Sequence, residues 1–187
     1  MNNDVTLAIN EPIKNYSLGS PERISLKKKL NEMENELYDI PIIIGGKEFR
    51  TGNLGTCIKP HQHDHVLAKF HMVREKEIDL AIKNSLNAWE NWSQTSLQER
   101  IKVFKRAAKL LAGPWRDTIN AATMLNQSKN VFQAEIDAAC ELIDFFNFNA
   151  QFAEQIHNEQ PLISPEGMHN HLEYRSLEGF VFAVSPF

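Results

Sequence analysis

Along this chain the apolar positions change period at residue 75. From Glu75 onward, Ile78, Ala81, Ile82, Ser85, Leu86 and Trp89 recur at i, i+3, i+4, i+7, i+8 and i+11, one face of an amphipathic helix. Ser96-Leu97-Gln98-Glu99 is a capping box, and Leu97, Ile101, Phe104, Ala108 and Leu111 carry the next stripe until Gly113-Pro114 stops it. Pro114 is suited to the first turn of a third helix. A long fourth helix is predicted from about Asn130 to His157, with Ile136, Ala139, Cys140, Ile143, Phe146 and Ala150 facing inward.

Before residue 75 the segments are shorter. Ser20 and Pro21 form a helix start, followed by a narrow stripe of Leu26, Leu30, Met33 and Leu37 that predicts a surface helix. Ile42-Ile43-Ile44, Gly45-Gly46 and Lys47-Glu48-Phe49 read as a hairpin whose turn needs positive φ. A second strand pair is expected around Thr56 to Lys59 and Val66 to Met72. After the long helix, Pro165-Glu166-Gly167 is a turn between two extended arms, Gln160 to Ser164 and Met168 to Tyr174. Such an arm exposes an edge, most stable when paired with more chain or another subunit. Phe180 to Val184 is an unbroken apolar run, the pattern of a strand covered on both faces in an α/β sheet, and Ser185-Pro186 breaks it. Ligands of open α/β sheets sit beyond the carboxyl ends of strands, so the chain reaches residue 187 where chemistry is expected to begin. That strand needs parallel neighbours which the chain does not supply, and it is expected to be poorly ordered.

Composition narrows the classes of function. A length of 187 residues with 42% hydrophobic content is enough for a buried core. A net charge of −4 and a pI of about 6.0, with dispersed lysines, give no footprint for nucleic acid or anionic lipid and favour small-molecule or protein partners. Cys57 and Cys140 are too far apart for a C-x-x-C motif, which fits a reducing compartment and signals neither a disulfide framework nor a zinc module. No apolar run is long enough for a membrane span, and no leader or transit segment is visible, so a soluble, unprocessed chain is expected.

Two constellations could carry chemistry. His61, His63 and His65, with His71 beyond, could converge on a metal if they shared one face of a strand. The ordinary reading is a solvated loop, because Pro60 and Asp64 make the segment turn-like and no second ligand group is identifiable; no metal site is assigned. On the long helix, Asp137, Glu141 and Asp144 share a flank with Phe145, Phe148 and Phe152. Carboxylates beside aromatics must pair, protonate or meet a ligand; alternatively the aspartates face solvent and Glu141 pairs with a basic residue. Both cysteines read as structural. The chain contains no G-x-G-x-x-G, P-loop, G-x-S-x-G or H-E-x-x-H sequence.

The wording of several segments is more specific. Asn10-Glu-Pro-Ile with Gly19-Ser-Pro-Glu-Arg23, Ile40-Pro-Ile-Ile-Ile-Gly-Gly46, Ala134-Glu-Ile-Asp-Ala-Ala-Cys-Glu-Leu-Ile-Asp-Phe-Phe146 and Tyr174-Arg-Ser-Leu-Glu-Gly-Phe-Val-Phe-Ala-Val-Ser-Pro-Phe187 closely resemble the pyrroline-5-carboxylate dehydrogenase branch of the aldehyde dehydrogenase superfamily. The resemblance runs in order from about residue 10 to the end. It implies an α/β fold, the N-terminal portion of an aldehyde dehydrogenase dinucleotide-binding domain, helix-rich with β-hairpins and an incomplete sheet. Residues 1–158 would be the N-terminal helices and hairpins, 159–175 an oligomerisation hairpin of a homo-oligomer, and 176–187 the first strand of the NAD-binding sheet, truncated.

The implied reaction is NAD-dependent oxidation of L-glutamate 5-semialdehyde to glutamate in proline catabolism. The family's cysteine nucleophile, general-base glutamate, oxyanion-binding asparagine and glycine-rich turn match no residue of this chain. It is therefore expected to be inactive alone, with no catalytic residue assigned. Ser185, Pro186 and Phe187 are the expected cofactor-binding residues, and Glu141 is expected on the wall of the aldehyde pocket. The family is mitochondrial in eukaryotes and cytoplasmic in bacteria. The alternative reading is a non-catalytic oligomerisation or interaction module derived from such an enzyme.

Overall fold

The structure is a computed structural model that describes residues 7–185. Helix α1 (Pro21–Glu34) opens as the sequence dictates, with the Ser20 hydroxyl accepting the Arg23 N–H and Pro21 in the first turn. It packs on α4 (Arg116–Gln127), with Leu26 buried. Three short strands follow, β1 (Tyr38–Ile40), β2 (Ile42–Ile44) and β3 (Lys47–Phe49). Strands β2 and β3 form the expected hairpin, and Gly45 and Gly46 take φ of +57° and +74°, the left-handed pair this tight turn requires.

Strands β4 (Leu54–Lys59) and β5 (Gln62–His71) are antiparallel, and β1 joins β5 in parallel, giving the order β1-β5-β4. The sequence pattern had no place for β1. Three residues of mixed polarity become a strand only because β5 offers an edge, and that pairing is not local. The structure also corrects the reading of His61, His63 and His65 as one loop: only Pro60 and His61 lie between the strands, while His63 and His65 belong to β5.

The helical part is α2 (Glu75–Trp92), α3 (Leu97–Ala112), α4, a short α5 (Val131–Ala134), a π-helical segment (Glu135–Cys140) and α6 (Glu141–Asn158). The capping box opens α3 with Ser96 and Glu99 bonded reciprocally. Helix α4 begins at Arg116, two residues later than Pro114 proposes, because residues 113–115 form a turn. Helices α3 and α6 pack together around Ala108, Ala139 and Ile143.

The long helix is continuous in direction but not in winding. In an α-helix residues five apart diverge by about 140° around the axis. The wider π turn brings Glu135 and Cys140 to one side, where both meet Arg116. Periodicity alone cannot distinguish that single wide turn from an α-helix.

Two expected β elements do not form ladders. The turn at residues 165–168 exists, closed by Met168 N–H to Pro165 C=O at 3.0 Å, but the arms of 159–175 are tied by side chains instead: Leu172 N–H donates to Gln160 Oε1 and Asn170 N–H to Ser164 Oγ. Residues 180–184 are irregular and exposed, with Phe182 82% accessible, rather than a buried strand. The exposure of residues 180–184 is what a strand without parallel neighbours is expected to show, since an isolated strand leaves its backbone groups unpaired. The two halves of 159–175 do meet, but through side-chain rather than backbone acceptors.

Candidate functional site

The end of α4 and the start of α6 enclose an open cleft of about 660 Å³, within the range of small-molecule sites. Ile119, Thr123 and Gln127 form one wall from α4; Asp137, Glu141 and Phe145 form the other; Lys129 and Ser185 lie at its margins. Spacing sets the second wall, since Asp137 and Glu141 are four residues apart and share a face. Ser128 ends α4 in the left-handed conformation, φ 57°, and the turn brings Lys129 onto Asp137 at 2.8 Å. The Ser128 hydroxyl also meets His61 Nδ1 at 2.7 Å.

Glu141 and Ser185, assigned from sequence to different partners, thus come to one cleft. Glu141 is exposed, and its carboxylate has neither a hydrogen bond nor an ion pair among the described residues. Of the flanking acids, Asp137 pairs with Lys129, and Asp144 accepts Asn10 Nδ2 at 2.8 Å and Glu11 N–H at 2.6 Å. The ordinary reading of the flank is therefore inverted, because the aspartates are partnered and the glutamate is open. Pro186 and Phe187 lie outside the described residues.

The histidines have separate engagements. His65 Nε2 meets the Glu34 carbonyl at 2.9 Å, and His71 sits between Asp39 and Gly52 N–H. Among the described residues no group of three His, Cys, Asp or Glu side chains is placed to hold a metal.

Behind the cleft wall lies a buried network that sequence analysis missed. Arg116 is 1% exposed and Glu135 fully buried. Arg116 Nη2 donates to Glu135 Oε1 at 2.5 Å and to the Pro12 carbonyl at 2.9 Å, while Nη1 pairs with Glu11. Glu135 also accepts Tyr16 Oη at 2.8 Å, Asn120 Nδ2 at 2.8 Å and Lys14 N–H at 2.8 Å. Burial alone would raise the Glu135 carboxyl, but these donors, Arg116 foremost, hold it below the usual range. Tyr16 is raised by burial and by the carboxylate it contacts. The missed signal was positional: Glu135 stands four residues before Ala139 and eight before Ile143, on the apolar stripe, where an acid must be paired.

Cys140 belongs to this buried side. Burial, then the Glu135 charge, pushes its thiol up to about 11, so it is protonated at neutral pH and not a nucleophile. Cys57 is half-buried on β4, its thiol donating to Asn126 Oδ1 at 2.8 Å. A thiol reagent at pH 8 is expected to label Cys57 at least about tenfold faster than Cys140, read by mass spectrometry of the digested chain. Equal rates would show that Cys140 is neither shielded nor held protonated.

The aldehyde dehydrogenase family profile matches residues 50–187. Among curated relatives, the mitochondrial delta-1-pyrroline-5-carboxylate dehydrogenase of Mus musculus is 44% identical over 178 residues, covering 95% of this chain and 32% of its own length. That of Dictyostelium discoideum is 41% identical over 184 residues, 98% of this chain and 33% of its own. The crystal structure of the Mycobacterium tuberculosis delta-pyrroline-5-carboxylate dehydrogenase bound with NAD superposes with a TM-score of 0.91 at 44% identity, covering 94% of this chain and 33% of that one. The chain spans about a third of the length of the proteins it matches. No described helix is long and apolar enough to cross a membrane.

Proposed function

Because the chain belongs to the aldehyde dehydrogenase family, we propose that it is part of an NAD-dependent dehydrogenase that oxidises L-glutamate 5-semialdehyde, formed from pyrroline-5-carboxylate, to glutamate. The observation that carries this reading is the 41–44% identity to delta-1-pyrroline-5-carboxylate dehydrogenases across nearly the whole chain. No finding supports the alternative of a non-catalytic interaction module.

In this proposal Glu141 lies on the wall of the aldehyde pocket, and Ser185 with Pro186 and Phe187 lines the cofactor side. The shared cleft of Glu141 and Ser185 supports both assignments. When bound, NAD supplies the acceptor for the hydride that leaves the substrate carbon. The cleft offers Ser185 and Lys129 at its margin, but the chain has no glycine-rich turn to cradle a pyrophosphate. These residues therefore suit one edge of a dinucleotide and not its whole length. The chain's contribution to the reaction is positional. Ile119 and Phe145 give the cleft an apolar wall, and Glu141 presents an unpaired carboxylate to a polar substrate. The oxidation also needs a thiolate nucleophile, a role that Cys140 cannot fill because it is held protonated.

The arm of residues 159–175 is proposed to pair with a second subunit. Its backbone is not laddered, and Leu162, Ile163 and Met168 are 99%, 81% and 68% exposed, an apolar edge that a neighbouring strand would cover.

The test is steady-state kinetics on the enzyme that carries this chain, with NAD and either glutamate semialdehyde or a simple aliphatic aldehyde. Semialdehyde-dependent NADH formation is expected. Glu141→Ala should lower kcat/KM for the semialdehyde about 10- to 100-fold, the scale of a hydrogen bond to a charged group. No NADH formed from the semialdehyde, or an undiminished Glu141→Ala enzyme, overturns the respective assignment.

A further inference from the structure

The segment before α1 runs extended and antiparallel to the helix that forms the cleft wall, and it is fastened to that helix at three levels. Ala8 N–H donates to Gln151 Oε1, Glu11 N–H to Asp144 Oδ1, and Lys14 N–H to Glu135 Oε1. In each case a backbone donor of the segment meets a side-chain acceptor of the helix, so three N–H groups of a stretch without secondary structure find their partners on one element, while the Pro12 and Tyr16 carbonyls accept from Arg116 and Arg23. Side chains add to this where the helix winding widens. Tyr16 Oη donates to Glu135 Oε2, and Arg116 bridges Glu135 to the Pro12 carbonyl and to Glu11. The fastening flanks Glu141 on both sides, six residues before it at Glu135 and three after it at Asp144. The π turn between Glu135 and Cys140 is where the two faces of the helix are set against each other, Glu135 inward and Asp137 with Glu141 on the cleft.

The family-wide match begins at residue 50, after this segment, whereas the Dictyostelium relative, which shares the proposed activity, aligns over 98% of the chain. The segment thus falls within the alignment to that relative and before the residues that the family profile matches.

We propose that residues 8–16 are a positioning strap: fastened chiefly at Glu135, it fixes the π turn and so the placement of Asp137 and Glu141, and it governs aldehyde recognition rather than cofactor affinity. The aldehyde part rests on the function proposed above. Glu135 and Tyr16 act through Glu141 and are positioning residues, not catalytic ones.

The test uses Tyr16→Phe, which keeps the ring and removes the hydroxyl shared by Glu135 and Asn120, and Asn10→Ala, which removes one Asp144 contact at the surface. Neither removes a buried charge, so both should fold. In the enzyme that carries this chain, Tyr16→Phe is expected to raise KM for glutamate semialdehyde about fivefold, the scale of one net hydrogen bond, and to leave KM for NAD within about twofold. Hydrogen exchange of the amides of residues 137–142 should quicken about fivefold, with Asn10→Ala smaller in the same direction. A fall in thermal midpoint with both KM values unchanged would mean the strap only adds stability, and the recognition role is overturned. Unchanged exchange at residues 137–142 overturns the positioning itself. If the unsubstituted enzyme forms no NADH from the semialdehyde, the proposed function fails, and exchange alone then decides whether the strap places the cleft wall.

Discussion

Arg116→Ala is expected to destabilise the chain by about 3–5 kcal/mol, the cost of stranding one half of a buried ion pair. The guanidinium is 1% exposed and engages Glu135, Glu11, the Pro12 carbonyl and the Cys140 thiol. Without it, Glu135 keeps donors from Tyr16, Asn120 and Lys14, but among the described residues no other cation touches its carboxylate. A typical domain has about 5–15 kcal/mol in all, so much of the margin would be lost.

The pH dependence gives the prediction its sign. In the intact chain the Glu135 carboxyl is held below its ordinary value. Its stabilisation is complete above the unfolded value of about 4.3 and is lost as pH falls through the lower folded one. In Arg116→Ala the same carboxyl is buried without its cation, so its folded value rises above the unfolded one. The deficit of the variant should then shrink as pH is lowered from 7 toward 5, since protonation relieves the stranded charge. Urea unfolding at the two pH values measures both parts. A loss under about 1 kcal/mol at pH 7, or a deficit that grows on acidification, would show that the Arg116–Glu135 pair does not clasp the helix to the segment before α1.

What could be read from sequence followed the range of the interaction. Ser20 with Pro21, Ser96 with Glu99, and Gly45-Gly46 settle their structures within four residues, and each was legible. The β1 strand, the π turn and the arm of 159–175 depend on partners far along the chain or on none, and pattern could not reach them. The site divides the same way. Glu141 stood out as an acid among aromatics, and Ser185 through a motif. The clasp joining Glu11, Tyr16, Arg116, Asn120 and Glu135 spans 124 positions from first to last; the place of Glu135 on the apolar stripe announces that it must be paired, but no local pattern names its partners.

The inner face of the same helix should be almost as sensitive as its clasp. Ile143→Ala is expected to cost about 2–5 kcal/mol, combining the lost transfer energy with a cavity that the surroundings close only partly. Ile143 is 1% exposed and lies against Ala108 and Ala139, with Leu111, Ile119 and Phe146 around them. The two alanines have no side chain to swing into a void, and both sit on helices fixed by other contacts, so collapse is restricted and the upper half of the range is the better estimate. Alanine's higher helix propensity, worth a few tenths of a kcal/mol, works in the opposite direction and cannot offset it. Ile143→Val removes one methylene at the same place and should cost about 0.5–1.5 kcal/mol. The ratio separates cavity formation from a helix effect, because valine is a poorer helix former than isoleucine or alanine. If the valine variant proved the less stable of the two, local winding around Glu141 rather than packing would control this wall, and the inner face would have to be regarded as an adjunct of the π turn.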